Sequence, residues 1–178
     1  MGVVIDSNSL ACVFCKTNSE HQYFIPLLKW IIEDKAKIII GGSTYISELE
    51  KAISIYKLIL ELNRCGKVFV APKKDVDAEE SRIKSMGYEC HDFDDPHIVA
   101  LIVVSSCKVL CSNDLRSFPF VQMRCFYPKG KCRPKIYTSA KRQPAYSLLK
   151  DENLSACCFQ PLKVLSKKEI EKLEFYKA

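Results

Sequence analysis

A chain of 178 residues that is 48% hydrophobic and 27% charged is long enough to bury one core and too short for two comfortable domains. Its formal charge of +6 is a local feature, because residues 115–150 hold nine basic side chains and no acid. That pattern suits a polyanionic partner better than general solubility, and the longest apolar run, residues 98–104, is far too short to span a membrane.

The N-terminus has no basic region ahead of an apolar core, so no secretory leader is expected. The ten cysteines therefore read as reduced, mostly buried small hydrophobes of a cytoplasmic protein. Val3-Val4-Ile5 predicts a buried opening strand that delivers Asp6 to its carboxyl end. Phe24, Leu27, Leu28, Ile31 and Ile32 recur at helical spacing over 20–35, and Lys37 to Ile40 predicts strand two, closed by Gly41-Gly42. Residues 44–64 read as one long helix with Ile46, Leu49, Ile53, Tyr56 and Leu60 on one stripe and Gly66 after its end. Within it Glu50 lies on a solvated face and fits a capping box with Ser47, whereas Glu48 shares a stripe with Ala52, Ile55 and Ile59. Glu48 thus faces the protein and needs a reason to be there.

Lys67 to Val70 predicts strand three, and Asp77 to Met86 a surface helix stopped by Gly87. Asp94-Asp95-Pro96 is a helix start, followed by the apolar run to Val104 and by a buried strand at Val109 to Cys111 that ends on Ser112-Asn113-Asp114. Leu115 to Phe118 allows one helical turn interrupted by Pro119, and a short strand is expected at Lys135 to Thr138. Ser166 and Glu169 form a capping-box pattern for a C-terminal helix. This alternation predicts an α/β fold with a mainly parallel sheet and helices on both faces.

In such a sheet the residues after the strand ends meet in one crevice. Asp6, Asp95 or its neighbour Asp94, and Asp114 all occupy such places, and Glu48 joins them from the start of its helix. At about 5 Å and an effective dielectric near 20, each carboxylate pair repels by about 3 kcal/mol. Either some of the four are protonated or a divalent cation sits among them, and an all-oxygen set selects Mg²⁺ or Mn²⁺. Such an ion would activate water against a phosphodiester.

The segments VVIDSNSL, STYISELEKA, DDPHIVALIVVSS and KVLCSNDLRSF, in this order and spacing, resemble the PIN-domain ribonucleases. The resemblance covers residues 1 to about 120 and implies a three-layer α/β/α fold around a parallel sheet of about five strands. It divides the chain into a PIN-like domain over 1–122 and a basic extension over 123–178 packed on the same domain. It implies metal-dependent hydrolysis of single-stranded or structured RNA, with the acidic cluster on Asp6, Glu48, Asp95 and Asp114. Asn8 and Ser112 or Asn113 would then orient the carboxylates. The doublet leaves Asp94 and Asp95 both open as the third acid.

Each acid also has a plainer reading, since Asp95 and Asp114 both stand where helix caps stand. His97 is a contact to substrate or phosphate on one reading and a surface or supporting residue on the other. Cys12 and Cys15 make half a zinc site without an obvious second half. Arg116, Arg124, Lys129, Lys131, Arg133, Lys135, Lys141 and Arg142 are the expected phosphate contacts, with Tyr127, Tyr137 or Tyr146 available to stack on bases. The leading expectation is an Mg²⁺- or Mn²⁺-dependent endoribonuclease, free-standing or the toxin half of a pair with a protein antitoxin, alone or as a homodimer. The alternative is a PIN-like module that binds RNA or protein without cutting, and DNA as substrate stays open.

Overall fold

The computed structural model describes residues 2–88, 93–139, 145–150, 153 and 164–173. Its centre is a parallel sheet of five strands, β1 (Gly2–Ile5), β2 (Lys37–Gly41), β3 (Val68–Ala71), β4 (Val109–Cys111) and β5 (Lys135–Tyr137), in the order β3-β2-β1-β4-β5. Every pairing is parallel, with Val3 and Val4 of β1 opposite Ile38 and Ile39 on one side and opposite Val109 and Leu110 on the other. The central strand is buried along its whole length, which is why it reads as an unbroken β-branched run and not as an alternation.

Among the described residues eight α-helices complete the layers: α1 (Leu10–Phe14), α2 (His21–Ile32), α3 (Ser43–Lys51), α4 (Ile53–Arg64), α5 (Lys73–Lys84), α6 (Pro96–Ser105), α7 (Phe118–Val121) and α8 (Lys167–Lys172). Helix α6 lies against β1, β2 and β3 and packs on α5, while α1 packs on α2 and α4. The open three-layer α/β/α arrangement agrees with the fold class expected from the sequence. Because β5 hydrogen-bonds to β4, the segment beyond residue 122 supplies a strand of the sheet as well as packing on it. No helix among the described residues is long and apolar enough to cross a membrane.

Four local readings need correction. The helix expected over 44–64 is two helices, broken at Ala52 (φ −91°, ψ 67°). The break rotates the second segment, so α4 buries Ile55, Leu58, Ile59 and Leu62 and leaves Ile53 and Leu60 exposed. Ser47 and Glu50 lie inside α3, whose N-cap is Gly42, so they form no capping box. Pro119 sits in the first turn of α7 and opens that helix where an interruption was expected, since its missing N–H is an orphan there anyway. The cysteines are less buried than expected: Cys107 and Cys111 are in the core, but Cys125 and Cys132 are exposed. The capping box of Ser166 and Glu169 on α8 forms as read from the sequence.

Gly42 carries the turn from β2 into α3 at φ +78° and ψ 154°, a region closed to side chains, and a Cβ there would stand 2.5 Å from Val76 Cγ1. Gly42→Ala is expected to cost about 1–3 kcal/mol. Chemical denaturation should show this as a lower midpoint at unchanged slope.

Candidate metal centre

The carboxyl ends of β1 and β4, the amino end of α6 and the first turns of α3 meet at one edge of the sheet. Asp6 leaves the end of β1 and is almost fully buried. Its Oδ2 accepts from Ser112 Oγ at 2.7 Å and its Oδ1 from the backbone N–H of Asn8 at 3.1 Å. Ser112 Oγ also accepts from the backbone N–H of Asp114 at 3.1 Å, so one hydroxyl ties the end of β1 to the end of β4. Burial pushes the Asp6 carboxyl up, the bonds from Ser112 and Asn8 oppose that, and the charges of Asp114 and Glu48 push the same way as burial.

Asp95 occupies the N-cap position of α6, but its side chain caps nothing, which sets aside the plainer reading of this acid. It is turned inward among like charges. Burial and the charges on Asp6, Asp94 and Glu48 push it up to about 6, against the opposing pull of His97. Ligand atoms of Asp94, Asp95 and Asp114 lie within 4.8 Å of one another, and so do those of Glu48, Asp95 and His97. Asp95 is the acid shared by both groups, while Asp94 stands exposed at the rim. Asp6 lies outside both groups but adds its field to Asp95.

Glu48 faces inward as its stripe predicts, and Glu50 is exposed. Glu48 Oε2 and His97 Nε2 stand 3.3 Å apart as an ion-pair contact, yet each atom is buried without a hydrogen-bond partner. A buried, unsatisfied carboxylate oxygen costs of order 1–3 kcal/mol or more unless something coordinates it. His97 beside Glu48 holds its carboxyl below the usual range, helped by Ser7 and Lys51. Burial works against a charge on His97, but Glu48, Asp95 and Glu80 outweigh it and raise its pKa.

His97 is therefore neither a surface residue nor a side chain at the mouth of the crevice. It is 2% exposed and packed under the acids, with its ring 6.3 Å from that of Tyr45. Tyr45, fully buried, donates its hydroxyl hydrogen to the Ile5 carbonyl and so fixes α3, with Glu48 one turn further on, against the end of β1. The start of α3 is pinned a second time, where Ser43 Oγ and its backbone N–H donate to Asp77 and Thr44 Oγ1 donates to the buried Glu80. Neither Tyr45 nor this pair of acids on α5 stood out in the sequence, where the helix carrying the acids read as a surface helix.

Asp114 fits the plainer reading in part. Its Oδ1 accepts from the Arg116 backbone N–H and Nε, and Oδ2 accepts from Arg116 Nη2. Arg116 is thus engaged with the cluster itself. Asn8 contributes its backbone N–H, and Asn113 is occupied elsewhere: its side chain bonds Thr138 and Ser139 and ties β4 to the end of β5. Ser112 is the side chain that orients a carboxylate.

The crevice above these groups has a volume of about 460 Å³ and is lined by Ser7, Asn8, Glu48, Lys51, Ala52, Asp94 and Asp95. Lys51 gives it a cation at the mouth, one turn beyond Glu48. The donor set of Asp94, Asp95 and Asp114 is all oxygen and fits Mg²⁺ or Mn²⁺, and the set containing His97 adds one nitrogen, which Mn²⁺ accepts more readily than Mg²⁺. Glu48 Oε2, which has His97 Nε2 at 3.3 Å but no hydrogen-bond donor, is the observation in this structure that fits such an ion best.

Of the other expected phosphate contacts, those among the described residues stand elsewhere. Arg124, Lys131, Arg133 and Lys135 line a separate cleft, and Lys129 is exposed in the same loop. Lys141, Arg142, Cys157 and Cys158 lie outside the described residues. Cys12 and Cys15 join no group of three ligands among the described residues. No protein-family model, curated protein or solved structure matches the chain.

Proposed function

We propose that the chain is a PIN-like, metal-dependent endoribonuclease acting at the crevice of Asp6, Glu48, Asp95 and Asp114. The observation that carries this reading is the half-buried Asp95, a helix-start acid that caps nothing and shares its surroundings with Asp94, Asp114, Glu48 and His97. A fold gains nothing from such a set unless a cation or a proton joins it.

In this reading Glu48, Asp95 and Asp114 hold Mg²⁺ or Mn²⁺, with Asp94 at the rim, and Asp6 fixes their field from beneath. A cation held there would supply an activated water and neutralise charge on the scissile phosphate. Ser112 holds the Asp6 carboxylate in one orientation, and His97, 3.3 Å from Glu48, favours the charged form of that carboxylate. Lys51, at the mouth, is placed to meet a phosphate oxygen on entry. The open crevice admits a single strand, and the protein acts in the cytoplasm.

Incubating the protein with labelled single-stranded RNA in Mn²⁺, in Mg²⁺ and in EDTA tests the reading. Cleavage is expected with either cation, faster in Mn²⁺, and none in EDTA. Cleavage that persists in EDTA would contradict it. The Arg116 guanidinium on Asp114 favours a second reading, a module that binds RNA without cutting it. That reading predicts RNA binding with no cleavage in any of the three conditions.

A further inference from the structure

The two ends of the sheet differ in charge. Its carboxyl edge bears the acids, whereas Lys37, Lys67, Lys108 and Lys135 stand at the start of β2, β3, β4 and β5. At that amino edge, beside β5, Arg124, Lys131, Arg133 and Lys135 line an open cleft of about 530 Å³ together with Gln122, Gly130, Cys132 and Pro134. The lining holds no acid, and among the described residues no ion pair joins these four cations to a carboxylate.

The cleft is built from its own backbone. Arg124 Nη1 donates to the Lys131 carbonyl, Arg133 Nη1 to the Gln122 carbonyl and Gln122 Nε2 to the Pro134 carbonyl. Lys131 Nζ donates to Ser106 Oγ, at the far end of α6 from Asp95, and Lys135 Nζ to Asn153 Oδ1. Each guanidinium thus spends one N–H on holding its place and keeps others for a ligand, an arrangement that suits the forked oxygens of a phosphate.

We infer that this cleft is an exosite for the phosphodiester backbone of single-stranded RNA, separate from the acidic crevice. The ten residues of α6 separate the two by about 15 Å at 1.5 Å per residue, so no single phosphate reaches both. An RNA held here contacts the acids only if it runs several nucleotides round the β5 edge. Membrane lipid is a poorer occupant, because none of the lining residues is a large exposed hydrophobic side chain that could enter a bilayer.

The inference concerns binding and does not need the cleavage chemistry to be right. Fluorescence anisotropy of a labelled oligouridylate, in EDTA so that metal-dependent cleavage is silent, reads it directly on the full chain. Arg124→Glu/Arg133→Glu is expected to weaken binding tenfold or more, and Arg124→Gln/Arg133→Gln to weaken it less while keeping a donor for each carbonyl. For the Gln pair the slope of log affinity against log salt should shrink by about 1.4, from about 0.7 per phosphate contact on a single strand. Lys57→Gln, at an exposed position of α4 that lines neither cleft, should bind as the parent does. If both pairs of substitutions bind RNA like the parent, the cleft is not the site. A polyglutamate that binds equally well and displaces the RNA would overturn RNA as its occupant. If cleavage is absent but the substitutions still weaken binding, the exosite stands and the nuclease reading falls.

Discussion

Asp95→Asn is expected to raise the melting temperature of the metal-free protein at neutral pH. The carboxyl of Asp95 is pushed up to about 6 from an ordinary 3.8, first by burial and then by Asp6, Asp94 and Glu48. An acid whose pKa is raised by folding adds stability only while protonated. Its contribution is fully present below about pH 4 and is lost as pH rises through about 6. Above that the charged form lowers stability, a cost it shares with the neighbours that repel it. Asn keeps the shape and removes the charge. In a chain of this size each kcal/mol moves the melting temperature by about 2–4 °C, so a rise of several degrees should appear in a thermal scan at neutral pH and fade near pH 4. Adding Mn²⁺ should reverse the order, stabilising the parent and leaving the variant unmoved. A variant less stable than the parent in EDTA at neutral pH would mean that the fold itself satisfies this carboxylate.

Asp6→Asn is expected to lower RNA cleavage by about a hundredfold or more while the protein stays folded. Asp6 accepts from Ser112 Oγ and the Asn8 N–H at its two oxygens, and Ser112 in turn accepts from the Asp114 N–H. An amide in its place turns one acceptor into a donor and removes the buried charge that stands next to Asp95. The loss should fall on kcat more than on KM, since Asp6 is buried and meets no substrate. An unchanged kcat with an altered KM would move Asp6 from the chemistry to the fold.

The acids were legible because each follows a run that can only be a buried strand or opens an apolar helix. Asp6, Asp95 and Asp114 declare themselves by position, and Glu48 by the stripe it interrupts. The parts that escaped are those whose role depends on packing between distant segments. Tyr45 carries no signal in the sequence and His97 reads as a substrate contact or a surface or supporting residue, and only the fold brings one under Ile5 and the other against Glu48. The break at Ala52 has no glycine or proline to announce it, so a stripe projected from Ile46 and Leu49 ran onto the exposed Ile53 and Leu60. The basic segment was visible as a block of charge. Its direction was not, because β5 runs through it and carries Lys135 to the edge opposite the acids.

Calorimetric titration of the full chain with Mn²⁺ tests most directly the claim that these carboxylates hold a cation. The account predicts saturable binding to the parent protein, sharply weakened in Asp95→Asn and in Glu48→Gln and unchanged in Arg124→Gln/Arg133→Gln. No binding to the parent, or binding that both acidic-site variants retain, would contradict it.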